Sequence, residues 1–222
     1  MHPRRAVELA VQIAEALADA HSQGLLHTDL RTDTVIVTPK GNAKVLDFGM
    51  ARWTSGGEIR ARAAQSADSL GPDALPVVSY LSPEQALGGL VDARTDVFSL
   101  GAMLYEMVTG RTPFAAATAA ATVMNVIGKT PPAPSTLNRD VTPELDAIIL
   151  RALAKDIETR QQSAAALSAE LRSVGAMLDV RSGDLSRTEL LPLDDEGSNA
   201  GMWLTIVCLL GLIGLLVWWL VM

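Results

Sequence analysis

Apolar side chains recur at every third or fourth position through residues 4–22, with acidic and amide side chains between them. This spacing places the apolar residues on one face of a helix, and Gly24 follows as a stop signal. The pattern therefore predicts an amphipathic helix at the start of the chain. The apolar positions are Ala6, Leu9, Ala10, Ile13 and Leu17, and the polar positions are Glu8, Gln12, Glu15 and Asp19.

Two short apolar runs follow, at residues 34–37 and 43–46, and the turn sequence Pro-Lys-Gly-Asn separates them at 39–42. Apolar runs around a glycine-containing turn predict a β-hairpin. The stretch 52–79 contains several glycines and prolines among polar residues, so it predicts a long loop.

Helical spacing returns in the second half of the chain, near 95–109, 116–128, 143–154 and 163–177. Thr95 with Asp96, and Thr142 before a proline, are candidate start signals, and Gly110 ends the first of these helices. The predicted fold is therefore mainly α with a short β-hairpin.

Composition and charge exclude several classes of protein. The chain has 222 residues, of which 49% are hydrophobic, and this fraction excludes a disordered chain. The net charge of −7 argues against nucleic acid as a partner, because duplex binding needs a basic face. The single cysteine, Cys208, excludes an intramolecular disulfide and a multi-cysteine zinc site.

The C-terminal end is a separate region, since residues 201–222 carry no charge. Twenty-two residues make a helix of about 33 Å, enough to cross a hydrocarbon core of about 30 Å. Trp203 lies near one end of this run, and Trp218 and Trp219 lie near the other, as in an aromatic belt. The alternative is a buried core helix, although such helices usually keep a polar face.

We therefore expect three regions: a soluble lobe at 1–178, an acidic linker at 179–200 and a transmembrane helix at 201–222. The linker carries more than half of the net negative charge. The first residues hold no uninterrupted apolar run, so they do not predict a signal peptide. We expect a tail-anchored, single-pass membrane protein whose soluble part lies in the cytoplasm.

Three short motifs contain the acidic residues that phosphoryl transfer requires. Residues 27–34 read HTDLRTDT and lead into the hairpin, residues 47–49 read DFG and close it, and residues 82–84 read SPE. The predicted hairpin would bring Asp29 and Asp47 to one edge of a cleft. Two convergent carboxylates can serve as a base and as a Mg²⁺ ligand.

On these motifs the chain resembles the C-terminal lobe of a bacterial transmembrane serine/threonine protein kinase, from about Arg5 to about Leu178. The family's catalytic loop reads H-R-D-L-K-x-x-N and its DFG is intact here. Further matches follow in family order. They are Pro76–Glu84, Asp96–Gly101, Gly110–Phe114 and Lys155–Arg160.

The resemblance implies a site that uses ATP and Mg²⁺ to phosphorylate serine or threonine of a protein. Asp29 would accept the proton of the substrate hydroxyl, and Asp47 would hold the Mg²⁺ that bridges the nucleotide phosphates. Arg31 stands where the family has a lysine on the γ-phosphate. Thr34 stands where the family has the asparagine for the second Mg²⁺, and Ile36 would lie under the adenine.

The resemblance also implies residues that hold the fold. Glu84 and Arg160 should form a buried ion pair at the end of the activation segment, and Asp96 should belong to the same structural set. His27 and Phe48 would stack in an internal spine, although the same packing suits ordinary core residues.

Several positions depart from the family pattern. Only 26 residues precede His27, and the first of four lysines is Lys40, so the glycine-rich loop, the strand lysine and its glutamate have no counterpart here. Thr28 replaces the arginine of the catalytic loop, Thr34 replaces an asparagine, and Val77 replaces a threonine.

Three hypotheses remain open. In the first, the chain is a membrane-anchored kinase, or part of one whose N-terminal lobe lies outside this chain, and it acts as a transferase on a protein substrate. Alternatively it is a pseudokinase scaffold that binds protein partners at the membrane. In the third, the motifs are coincidental in a membrane-tethered helical domain. Whether this chain is an enzyme by itself stays undecided at this stage. We also expect an exposed apolar edge along the hairpin at 34–46, where another lobe would dock.

Overall fold

The computed structural model describes residues 1–48 and 75–181. The helices are α1 Pro3–Ser22, α2 Leu75–Val78, α3 Pro83–Ala86, α4 Ala93–Thr109, α5 Ala119–Gly128, α6 Pro143–Ala152 and α7 Ala164–Arg181. The strands are β1 Val35–Val37 and β2 Ala43–Val45, and short 3₁₀ turns lie at Thr32–Thr34, Pro134–Thr136 and Ile157–Thr159. Residues 1–178 form one compact unit.

The amphipathic helix predicted at 4–22 is confirmed as α1. All five of its predicted apolar positions are buried, and all except Leu9 belong to a core that also contains side chains of α4, α6 and α7. Gly24 follows the helix with a φ of 73°, a left-handed conformation that glycine adopts without steric cost.

The predicted hairpin is confirmed. The two strands pair antiparallel with Val35 opposite Val45, and Gly41 turns the chain at a φ of 84°. Two side chains of α1 form hydrogen bonds to the hairpin backbone. Gln12 Oε1 accepts the backbone N–H of Ala43 at 2.8 Å, and the Arg5 guanidinium donates to the Gly41 carbonyl at 2.6 Å.

Helix α4 lies at the centre of the core, and most of its residues are buried. Its N-cap is Asp92, whose carboxylate accepts the backbone N–H of Arg94 at 2.8 Å. The start signal expected at Thr95 and Asp96 was therefore placed too late. Asp96 lies inside the helix, and its carboxylate accepts hydrogen bonds from the loop at 27–34 instead of capping the helix. Gly110 ends α4 in the left-handed conformation, as expected.

Other boundaries differ from the sequence pattern by a few residues. The helix expected from 116 begins at Ala119, because the Thr118 side chain caps it through the backbone N–H of Ala121. The long loop expected at 52–79 contains the helical turn α2 near its end. Helix α7 runs to Arg181 and so includes the first residues of the expected linker.

Within the two described stretches, no helix combines the length and the apolar character that a membrane crossing needs. The predicted anchor at 201–222 and residues 182–200 of the predicted linker lie outside the described residues. So do residues 49–74, which include Gly49 and most of the predicted loop.

Candidate active site

A buried carboxylate of α4 holds the loop at 27–34 in place. Asp96 Oδ2 accepts the backbone N–H of His27 at 2.8 Å, and Oδ1 accepts the backbone N–H of Thr28 at 2.7 Å. His21 Nε2 also lies 2.8 Å from Oδ2, so it donates a third hydrogen bond. Asp96 is wholly buried, and these donors compensate its desolvation. The structural role that the resemblance implied for Asp96 has a clear physical basis.

His27 connects this loop to the end of the hairpin. Its Nε2 lies 2.8 Å from the Leu46 carbonyl, and its Nδ1 lies 3.3 Å from the backbone nitrogen of Asp29. A carbonyl accepts and an N–H donates, so the network assigns a neutral ring protonated at Nε2. The Phe48 ring meets His27 edge-on with centroids 5.0 Å apart. His27 and Phe48 thus make the contact expected of them.

Asp29 lies in this loop, and Asp47 follows the second strand of the hairpin. Burial raises the pKa of Asp29. The Arg31 guanidinium opposes that shift, while the charge of Asp47 adds to it. Asp47 is exposed and adopts a left-handed φ of 61°.

Arg31 lies beside the carboxylates of Asp29 and Asp33. Its Nε is 3.5 Å from Asp29 Oδ1, and its Nη1 forms an ion pair with Asp33. This position places a cation next to Asp29, where a transferring phosphate would bring negative charge. Whether Arg31 contacts a phosphate stays a prediction.

Thr34 is buried, and its hydroxyl is used inside the loop. Oγ1 donates to the Arg31 carbonyl at 2.9 Å and accepts the Arg31 backbone N–H at 3.1 Å. This local pairing closes the 3₁₀ turn at residues 32–34. A metal would have to reach this oxygen inside the turn, where Thr34 is only 3% exposed. The second Mg²⁺ site expected there stays a prediction that the loop geometry does not favour.

The apolar edge expected along the hairpin is confirmed. Ile36 and Val37 on β1 are exposed by 51% and 49%, and Leu46, just after β2, by 36%. Large apolar side chains are more often covered than this in a folded protein. Ile36 is thus available to a planar ligand or to another protein surface.

The segment after α2 is anchored by the ion pair expected between Glu84 and Arg160, which is present. Two parallel contacts of 2.8 Å join the guanidinium to both carboxylate oxygens, and Thr95 Oγ1 donates to Glu84 at 2.7 Å. Burial alone would raise the pKa of Glu84, but the bonds from Arg160 and Thr95 outweigh it and hold that pKa below its usual value. The Arg160 guanidinium also lies 4.9 Å from the Phe98 ring.

Two residues that sequence reasoning missed also contact the loop at 27–34. Gln85 donates from Nε2 to the Thr28 carbonyl at 2.7 Å. Tyr80 places its hydroxyl 3.2 Å from Thr32 Oγ1 and donates to Glu106. Nothing in their local sequence marks these contacts, because the partners lie 48 and 57 positions away along the chain.

The carboxylates of this site suit a metal ion that is bound partly by the protein and partly by a ligand. Among residues 1–48 and 75–181, no group of three or more His, Cys, Asp or Glu side chains is placed to hold an ion by itself. Mg²⁺ is commonly bound by one or two carboxylates together with phosphate oxygens and water, and the exposed carboxylate of Asp47 fits that donor set.

A helical lobe with a short hairpin, an aspartate-bearing loop and a DFG segment at its edge defines the large lobe of a protein kinase. The chain belongs to the protein kinase domain family, which it matches over residues 1–171. Its relatives are bacterial serine/threonine protein kinases. As a family, protein kinases use ATP and a divalent metal.

Three relatives illustrate the similarity. The chain is 40% identical to serine/threonine-protein kinase PknB of Mycolicibacterium smegmatis over 169 residues, 76% of this chain and 26% of the relative. It is 41% identical to a probable serine/threonine-protein kinase of Streptomyces coelicolor over 162 residues, 73% of this chain and 23% of the relative. Against PknB of Mycobacterium tuberculosis the identity is 34%, over 93% of this chain and 36% of the relative. The chain thus spans about a quarter to a third of these relatives.

Proposed function

We propose that this chain carries the catalytic-loop half of a bacterial serine/threonine protein kinase. Asp29 would take the proton of a serine or threonine hydroxyl on a protein substrate, and Asp47 would hold Mg²⁺. The observation that carries the proposal is the geometry of the loop that contains Asp29. Asp96 fixes this loop through the backbone N–H groups of His27 and Thr28, and the Arg31 guanidinium lies beside Asp29.

The environment of Asp29 suits a base. Burial raises its pKa toward the range in which proton transfer is efficient, and Arg31 keeps the ionised form accessible. Bound ATP supplies the phosphoryl group, and Mg²⁺ neutralises its charge. Arg31 would stabilise the γ-phosphate, Ile36 would lie under the adenine, and Thr34 is the remaining candidate for a second Mg²⁺. These assignments rest on the family motif.

Binding of MgATP and transfer of phosphate test the two aspartates separately. In detergent, the full chain should bind a fluorescent ATP analogue with Mg²⁺, Asp47→Asn should abolish the metal-dependent part, and Asp29→Asn should retain it. Phosphate transfer from labelled ATP to protein should fall by at least about 10² in Asp29→Asn. The exposed Asp140→Asn is the matched control and should behave as the unaltered chain. Metal-independent binding, or unchanged binding in Asp47→Asn, would count against the proposal.

A second candidate function is a pseudokinase scaffold that binds protein partners. The engaged hydroxyl of Thr34 favours it, because this oxygen is bonded within its own turn. Failure of the full chain to bind MgATP would support the scaffold. A glycine-rich segment and a strand lysine encoded in frame upstream of Met1 would support the kinase.

We also propose that residues 201–222 anchor the protein in a membrane as a single span, with residues 1–178 in the cytoplasm. The support is the uncharged run of 22 residues with tryptophans near both ends.

A further inference from the structure

Gln85 lies directly after the Ser-Pro-Glu motif and is buried, with an exposed fraction of 3%. Both ends of its amide are paired. Nε2 donates to the Thr28 carbonyl at 2.7 Å, and Oε1 accepts the backbone N–H of Ser82 at 3.0 Å. Its backbone N–H donates to Ser82 Oγ at 3.2 Å. A buried amide that is paired at both ends is fixed in place, because rotating it would leave polar atoms unpaired.

The carbonyl that Gln85 holds belongs to the peptide between Thr28 and Asp29. The N–H of that same peptide, on Asp29, faces His27 Nδ1 at 3.3 Å. This second contact is long for an N–H···N bond, so the shorter bond from Gln85 is the stronger restraint on the orientation of the peptide.

Thr28 itself adopts a φ of 61°. This left-handed conformation is unfavourable for a β-branched residue and persists only where neighbouring groups hold it. Asp96 holds the N–H of Thr28 at 2.7 Å, and Gln85 holds its carbonyl. The strained residue is thus clamped on both sides, from α4 and from the segment around α3.

The segment that carries Gln85 is itself anchored. Ser82 caps α3, and the neighbouring Glu84 is held by Arg160 and Thr95. We propose that Gln85 is a positioning residue for Asp29. Its side chain couples the position of the Ser82–Ala86 segment to the orientation of the Thr28–Asp29 peptide. The description of Asp29 as the base rests on the proposed function. The coupling itself does not.

Selective labelling isolates this peptide. The sequence contains three Thr-Asp pairs, at 28–29, 32–33 and 95–96. With ¹³C in threonine carbonyls and ¹⁵N in aspartate, a carbonyl–amide correlation spectrum of the full chain in detergent shows only those three peaks. Thr28→Ser identifies the target peak by removing it.

Two variants of Gln85 remove the donor in different ways. Gln85→Met is apolar and of similar length, and Gln85→Glu keeps an acceptor for Ser82 but offers Thr28 a charged oxygen. Gln161→Met is the matched control, since Gln161 is also buried and bonds to Glu170 and the Ile148 carbonyl, away from the loop.

In both Gln85 variants we expect the Thr28 carbonyl resonance to move to lower frequency and the Asp29 amide to exchange with solvent about tenfold faster, with the 32–33 peak unchanged. Gln161→Met should leave the 28–29 peak in place. An unmoved peak with unaltered exchange in either folded Gln85 variant, or an equal effect of Gln161→Met, would overturn the coupling. These readouts need no nucleotide, so a failure to bind MgATP would refute only the role of Asp29 as a base.

Discussion

At the scale of single residues, the lobe is held by charged groups that are buried together with their partners. Asp96 receives three hydrogen bonds, and Glu84 and Arg160 satisfy each other with two parallel contacts. Leaving either member of a buried ion pair alone is costly, because the remaining charge loses its compensation. The loop at 27–34 therefore depends directly on Asp96, while Glu84 and Arg160 hold the segment that contains Gln85.

The ion pair of Glu84 and Arg160 gives the first prediction. Glu84→Gln should lower the free energy of unfolding at pH 7 by about 3–5 kcal/mol, since Arg160 is left buried without its counter-charge. The matched control Glu8→Gln removes a half-exposed carboxylate that pairs with Arg5, and should cost less than about 1 kcal/mol. Urea unfolding measures both.

The same pair also predicts a pH dependence. The pKa of Glu84 is lower in the folded lobe than its ordinary value of 4.5, so its contribution is complete above about that pH. It is lost as the pH falls through the folded pKa. Between pH 7 and pH 3 the unaltered chain should therefore lose more stability than Glu84→Gln. Parallel curves for the two proteins would show that the ion pair does not contribute in this way.

At the scale of elements, the close approach of α4 to α6 depends on a glycine. A Cβ placed on Gly101 would lie 2.7 Å from Cβ of Ala152 and 3.5 Å from Cδ2 of Leu153. Gly101→Ala should therefore push the two helices apart and destabilise the lobe by about 1–3 kcal/mol. Thermal unfolding would measure the change.

Gly175 in α7 provides the matched control, because a Cβ there would meet Val7 at an ordinary contact distance of 3.5 Å. Gly175→Ala should be neutral or stabilising by up to about 1 kcal/mol, as alanine is the better helix former. Equal destabilisation by the two substitutions would contradict the steric explanation.

The hairpin gives a further prediction at this scale. Residues 1–200 should bind an apolar dye and self-associate, because Ile36 and Val37 present apolar surface. Ile36→Lys should reduce both effects, whereas Met124→Lys, at an exposed position of α5, should not. Dye fluorescence and light scattering would report the difference. Equal responses to the two substitutions would argue against a specific role of the apolar edge of the hairpin.

The sequence predicted the elements better than it predicted their contacts. The order of apolar and polar residues located α1, the hairpin and four later helices, because burial of one face imposes a regular spacing on the apolar positions. The cap of α4 was assigned to Asp96 instead of Asp92, since both are acidic and precede the same apolar run. Which of them caps the helix is decided by the distant N–H groups of His27 and Thr28.

The motif aspartates were predictable in the same limited sense. Their order along the chain indicated the kinase family, whereas the convergence of Asp29 and Asp47 at one edge of a cleft stays a prediction. The bond from Gln85 to Thr28 was not predictable, because two residues 57 positions apart become neighbours only through the packing of α3. The helical turn α2 was missed because Pro76 lies inside it and the preceding loop is rich in glycine.

At the scale of the whole molecule, the compact unit at 1–178 accounts for the kinase resemblance, while the proposed anchor would determine where the protein acts. A cytoplasmic lobe tethered by one span would be confined to substrates or partners near the membrane surface. This confinement raises the local concentration of such partners without any new contact, through a linker of about 20 residues.

The anchor gives the last prediction. The full chain, produced in bacteria, should stay in the membrane fraction after alkaline carbonate washing. Leu210→Arg combined with Leu212→Arg should release it, because each arginine at the centre of a span costs roughly 2.5–3.5 kcal/mol of insertion free energy. Leu210→Val combined with Leu212→Val is the matched control and should remain bound. If the arginine variant is retained as fully as the valine variant, association must come from another part of the chain, and residues 201–222 would not be the anchor.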